Sequence, residues 1–257
     1  MQNLTKTKRT CHNGRRLTII NYMNKGNNSS RPTGKKLINI KPENIKAQLR
    51  QSQNKYVNII LENEITFCQG PAGTSKTFTA CYTALKLLAN KEISQIVLCK
   101  PIQEAGEKLG FLPGDIADKI DPFMQSYISN ITKIVGHETA QALVENEMIV
   151  FRPMAYMRGD TFDNSLMILD EAQNATFKQI MLFVTRMGKG SKVIVTGDVS
   201  QYDIPKNNIG LPGFIKLMDG VKGIGHHEFS NKDIVRAKIL QDVVSRYDKW
   251  KIDNPEK

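Results

Sequence analysis

Ile65-Thr66-Phe67-Cys68-Gln69-Gly70-Pro71-Ala72-Gly73-Thr74-Ser75-Lys76-Thr77 is the stretch on which the reading of this chain turns. An apolar, β-prone run enters a glycine-bearing turn, and Lys-Thr opens a helix whose apolar face continues through Ala80, Ala84, Leu85 and Leu88. This is the strand–loop–helix setting of a phosphate-cradling P-loop. The first N–H groups of a helix lack intrahelical partners, and the helix dipole adds partial positive charge there. Gly70 and Gly73 let the backbone wrap closely around an anion. Lys76 is expected to reach the β- and γ-phosphates and the Thr77 hydroxyl to coordinate Mg²⁺. Ser75 stands where the pattern G-x-x-x-x-G-K-[ST] has its second glycine, so a positive φ there would carry a strain cost. The competing account is a Gly-Pro-Ala-Gly turn that merely links a strand to a helix. The flanking elements favour the nucleoside triphosphate.

With 257 residues the chain can bury one good core. No apolar run approaches the ~20 residues of a membrane helix, and no secretory h-region is present. Cys11, Cys68, Cys81 and Cys99 form no C-x-x-C pair, which suits reduced thiols and a cytoplasmic location. The net charge is +11, and all of it belongs to the leading segment. Residues 1–50 hold twelve Lys/Arg against the single acid Glu43, while the rest is balanced at 24 basic and 24 acidic residues. Such an arm either contacts nucleic acid electrostatically or is a solvated, solubilising tail.

The organisation expected is a basic, partly disordered arm over 1–40, an NTPase domain over 41–250 and a short tail over 251–257. Residues 17–20 and 37–40 could form an edge hairpin. Helices are expected from Lys41, over Gln53–Leu61, from the P-loop to Asn90, and over Ile116–Ser129, Glu138–Glu145, Phe177–Met187, Gly213–Asp219 and Asp233–Trp250. Strands are expected at Ile65–Gln69, Gln95–Lys100, Met148–Arg152, Leu166–Asp170, Lys192–Gly197 and His227–Ser230. The alternation predicts an α/β fold with a mostly parallel sheet and helices on both faces. The glycine-punctuated segment 104–115 reads as a long functional loop.

Ligands of such sheets sit at the carboxyl ends of the strands. Leu166-Met167-Ile168-Leu169-Asp170-Glu171 has the form of a Walker B element. Asp170 would hold Mg²⁺ through water and Glu171 would align and deprotonate the attacking water; otherwise the acids simply cap the next helix. In Val195-Thr196-Gly197-Asp198-Val199-Ser200-Gln201, Asp198 would orient neighbouring groups. The Gln201 amide could bond the γ-phosphate or the water, or it is a solvated side chain of a strand-ending turn. The histidines show no metal-ligand spacing.

Five blocks carry a resemblance: 70–77, 104–115, Tyr156-Met157-Arg158-Gly159, Ile168-Leu169-Asp170-Glu171-Ala172-Gln173-Asn174 and 195–201. Over about residues 50–245 the chain resembles the PhoH-like family of P-loop ATPases related to the superfamily 1 helicase core. The resemblance implies a single RecA-like domain, ATP and Mg²⁺ as cofactors, ATP hydrolysis, and RNA or single-stranded DNA as partner. It implies an ATP site made of Gly70, Pro71, Ala72, Gly73, Thr74, Ser75, Lys76, Thr77 and Phe78, with Lys76, Glu171 and Gln201 catalytic. It also suggests Gln53 as an adenine-reading glutamine, using donor and acceptor together; the alternative is an exposed helix residue. Asp160 departs from the family's Arg-Gly-Arg turn. A two-core helicase completes its site with an arginine from the second core, whereas this chain has room for one core. The arginine is therefore sought within the chain or on a neighbouring subunit of a ring-like homo-oligomer, with Arg158, Arg186 and Arg236 as candidates or as ordinary salt-bridge partners. Lys100 and Lys108 are candidate nucleic-acid contacts. A nucleotide-switched module that binds a protein partner is the rival function.

Overall fold

The computed structural model describes residues 40–101, 116–199, 201–205 and 208–235, with scattered positions between 239 and 253. The arm over 1–39, the 104–115 loop with Lys108, and Arg236 lie outside the described residues, as do the expected hairpin and most of the expected terminal helix.

Six strands are β1 (Ile65–Gln69), β2 (Gln95–Cys99), β3 (Ile149–Phe151), β4 (Ser165–Leu169), β5 (Lys192–Gly197) and β6 (Ile224–Glu228). They form one sheet in the order β3-β2-β4-β5-β1-β6, and every neighbouring pair is parallel. Because successive side chains alternate between faces, the sheet builds two cores. Cys68, Ile96, Leu98, Phe151, Ile168 and Ile194 point to one side. Phe67, Val97, Val150, Leu169, Val193 and Val195 point to the other.

Four helices cover the first face: α1 (Gln51–Glu62), α2 (Lys76–Ala89), α3 (Ile116–Val135) and α4 (His137–Glu145). Their Tyr56, Ala84, Leu85, Tyr127 and Leu143 are buried there. The second face is covered by α5 (Phe177–Val184) and α6 (Leu211–Leu217) through Ile180, Phe183, Leu211 and Phe214. The expected α/β class and helices on both faces are what is observed. Reciprocal bonds at Thr176 start α5: its Oγ1 accepts from Gln179 N–H (3.3 Å), and its own N–H donates to Gln179 Oε1 (2.8 Å).

Most other boundaries move by one to three residues, and three differences are larger. From Lys41 there is one 3₁₀ turn, Pro42–Asn44, followed by extended chain, because Ile40 and Ile45 are buried as flanking pegs. α3 runs to Val135 rather than Ser129, since burial of Ile131 and Ile134 outweighs the modest helix propensity of that stretch. The last strand ends at Glu228, and a 3₁₀ turn over Asn231–Asp233 occupies the expected helix start.

Candidate functional site

β1, β2, β4 and β5 deliver their carboxyl ends to one place. Gln69 leads into the P-loop, and β5 lies between β1 and β4. Gly70 (φ 148°) passes so close to Phe229 that a Cβ would stand 2.6 Å from that residue's carbonyl oxygen. Only glycine fits there. Phe229 N–H donates to Gln69 O (2.9 Å) and Val235 N–H to Gly73 O (2.8 Å), so the chain after β6 braces the loop from outside.

Inside the loop, Thr74 Oγ1 donates to Pro71 O at 2.9 Å. Lys76 Nζ donates to the carbonyls of Gly70 (2.6 Å) and Pro71 (3.0 Å), leaving its charge folded over its own loop. Ser75 sits at φ 67°, ψ 32°, the left-handed region, as the missing glycine implied. Phe78 packs against the core on the α2 side, so its side chain is part of the packing.

Thr77 Oγ1 donates to Asp170 Oδ2 at 2.8 Å, joining the first turn of α2 to the end of β4. Burial raises the Asp170 pKa, the charge of Glu171 adds to it, and Lys100 opposes it. A hydroxyl at the start of α2 beside a carboxylate at the end of β4 forms a hard-oxygen donor set, which fits Mg²⁺. Glu171 is exposed and also left-handed at φ 56°, an unfavourable backbone state for a non-glycine residue at a candidate site.

A hydrogen-bonded chain connects this acid to the P-loop. Gln173 Nε2 donates to Glu171 Oε2 (2.7 Å), and Gln173 Oε1 accepts from Asp198 N–H (2.9 Å). Asp198 Oδ2 in turn accepts from Ala72 N–H (2.9 Å). Gln173 is buried, and the relay passes over Gly197, where a Cβ would meet Gln173 Oε1 at 2.8 Å. In the sequence only the Asp-Glu-Ala-Gln-Asn block marks Gln173; its contacts to Glu171 and Asp198 come from the fold. Gln201 is exposed and holds the turn through its N–H to Asp198 O (3.1 Å).

Gln53 is not an exposed helix residue: it is 4% exposed, and its Oε1 accepts from Arg50 N–H at 2.8 Å, capping α1. The Lys100 side chain is drawn inward, its ammonium 2.9 Å from Ser126 Oγ and 3.7 Å from Asp170 Oδ2, instead of facing outward toward a polymer. Arg158 is exposed. Arg186 follows α5 and precedes β5, which places it at the amino ends of the strands, about 17 Å from the P-loop edge for strands of this length. Its guanidinium donates to Asp160 O (3.2 Å) and Thr185 Oγ1 (3.3 Å), so it does not complete its own site.

Among the described residues no group of acids, histidines and cysteines forms a metal cluster, and no helix is long and apolar enough to cross a membrane.

The model of the family described as PhoH-like protein matches residues 44–248. The chain is 42% identical over 198 residues to a PhoH-like protein of Bacillus subtilis, covering 77% of this chain and 62% of that protein. It is 40% identical over 204 residues to a PhoH-like protein of Synechocystis, covering 79% and 62%. Protein PhoH of Escherichia coli K12 is 34% identical over 200 residues, covering 77% and 56%. The aligned part thus spans less than two thirds of these relatives. Among solved structures, the Hef helicase domain of Pyrococcus furiosus aligns with TM-score 0.43 and 14% identity over 70% of this chain and 38% of that one. The Pif1 helicase of Candida albicans aligns with TM-score 0.37 and 13% identity over 72% and 41%.

Proposed function

The chain belongs to the PhoH-like family, and on that premise we propose that it is a Mg²⁺-dependent ATPase coupled to RNA or single-stranded DNA. The observation that carries this reading is the 2.8 Å bond from Thr77 Oγ1 to Asp170 Oδ2. It joins the P-loop helix to an acid-tipped buried strand, the pairing a triphosphate and its metal require.

Thr77 and Asp170 are the residues that would hold Mg²⁺, which when bound neutralises charge on phosphate oxygens. Lys76 leaves the Gly70 and Pro71 carbonyls for the phosphates, where its charge stabilises the transition state. The amides at the start of α2 bind the same anion. Glu171 takes the proton of the attacking water once Gln173 releases Oε2 or shares it. In this reading Gln201, on the exposed turn beyond β5, would respond to the terminal phosphate, and Gln53, whose Oε1 caps α1 in this structure, would turn to read the base.

The basic arm over 1–40 supports a polyanionic partner. Completion of the site by an arginine from a neighbouring subunit, in a ring-like homo-oligomer, fits Arg186 at the amino ends of the strands, away from its own site, and exposed Arg158. Arg236 and Lys108 remain candidates of the sequence alone.

The bond from Gln173 to Glu171 favours a second reading, a slow switch that binds a protein partner, because it engages the carboxylate that would activate water. ATP turnover of the wild type and Glu171→Gln, each with and without RNA and single-stranded DNA, separates the two. Coupled hydrolysis predicts turnover that rises with polymer and falls steeply with salt, and a Gln variant that binds ATP but stalls. Flat, polymer-independent turnover supports the switch; absence of ATP binding ends both.

A further inference from the structure

Lys100 continues β2 and Asp170 continues β4, two neighbouring parallel strands paired through Cys99 and Leu169. Asp170 N–H donates to Cys99 O at 3.0 Å, which brings the two residues side by side. The Lys100 ammonium stands 3.7 Å from Asp170 Oδ2, the oxygen that also accepts from Thr77. Both side chains are withdrawn from solvent, at 13% and 5% exposure. On its other side the ammonium donates to Ser126 Oγ at 2.9 Å and lies 5.3 Å from the centre of the Tyr127 ring, a cation–π distance. Tyr127 hydroxyl donates to Cys99 O at 2.8 Å, locking α3 to the end of β2. One positive charge is thus held between the metal-site acid and a helix.

We propose that Lys100 is a displaceable counter-ion of the magnesium site. It neutralises Asp170 before a metal arrives and is expelled when a divalent cation joins Thr77 and Asp170, so that α3 senses loading through Ser126 and Tyr127. This rests on the nucleotide-and-magnesium reading above. A carboxylate this buried needs a positive neighbour. An incoming divalent ion supplies that charge and repels an ammonium a few ångströms away in a poorly screened site. A lysine suits the task, being a compact charge on a flexible stem that can leave without taking the backbone with it.

The test uses the full chain and ADP carrying a fluorescent ribose label. The control is that Mg²⁺ tightens nucleotide binding; if it does not, the nucleotide reading itself fails. With that control met, acetylation by an N-hydroxysuccinimide ester is followed by peptide mass spectrometry, in ADP with chelator and in ADP with Mg²⁺. Lys100 labelling should rise several-fold with Mg²⁺ while that of Lys192, at the other end of the sheet, stays constant. Equal or lower labelling overturns the proposal. Lys100→Met should raise the apparent Mg²⁺ affinity roughly ten-fold, the scale of removing one unit charge nearby, and Lys100→Arg should restore a competing charge. Unchanged or weaker Mg²⁺ binding overturns it, and a loss confined to RNA binding would return Lys100 to the role of a polymer contact. A Met variant that does not fold leaves the labelling of the wild type to decide.

Discussion

Asp198 Oδ2 accepts a hydrogen bond from Ala72 N–H at 2.9 Å, tying the end of β5 to the turn that leaves β1. The P-loop is therefore shaped by a carboxylate far away in sequence as well as by its own glycines. Asp198→Ala leaves the part-buried Ala72 amide without this acceptor, a loss of about 1 kcal/mol, the low end for an unsatisfied donor. A lower melting temperature and weaker nucleotide binding are expected. Asp198→Asn keeps an acceptor oxygen and should recover most of both. Equal losses in the two variants would assign the effect to charge rather than to this bond.

Gln173 links Glu171 to Asp198 and through it to Ala72. Gln173→Ala should lower both nucleotide affinity and turnover, whereas Glu171→Gln should lower turnover alone, by roughly 10²–10⁴ if the carboxylate is a general base. Gly197→Ala should mimic Gln173→Ala, since the added methyl stands 2.8 Å from Gln173 Oε1 and 2.7 Å from Leu211 Cδ2. Nucleotide titration and steady-state turnover distinguish these patterns, and normal affinity in both Ala variants would refute a relay reaching the loop.

Ser75 occupies φ 67°. Ser75→Gly removes a left-handed cost of roughly 1–2 kcal/mol but adds about 0.5–1 kcal/mol of unfolded-chain freedom. The net change should be neutral to slightly stabilising, with nucleotide binding retained. Ser75→Val, with a branched Cβ in the same conformation, should melt several degrees lower. Thermal denaturation without ligand reads both.

Acid should loosen the P-loop brace. His227 stacks on Tyr56 (5.3 Å) and meets Phe229 edge-on (4.4 Å), and Phe229 backs Gly70. Burial lowers the His227 pKa below its ordinary 6.5, against the opposing pull of Asp233. The fold thus favours neutral imidazole. That contribution is fully present above pH 6.5 and is lost as pH falls through the folded value. Because the ring is only half-buried, solvent screening limits the expected drop to a few degrees of melting temperature between pH 7.5 and 5.5. His227→Phe should flatten that limb of the profile, and an unchanged slope would exclude His227 as its source.

Local pattern carried much of this protein. β1 and β5 appear with the boundaries expected for them, because a β-rich run ended by glycine leaves few other options. The P-loop, Thr77 and Asp170 were likewise legible, since each motif is a contiguous block. Boundaries were lost where tertiary burial overruled propensity, as at Ile131 and Ile134 in α3.

What the sequence determined by itself was the class of fold, the glycine-bearing turn after β1 and the acids at the strand tips, each set by residues adjacent in the chain. Only the tertiary structure decided that Lys100 faces Asp170, that Gln173 and Asp198 relay Glu171 to Ala72, and that Arg186 lies at the amino ends of the strands. Those relations depend on strand order and register. A parallel sheet brings together side chains from separate strands in an order that no local pattern encodes.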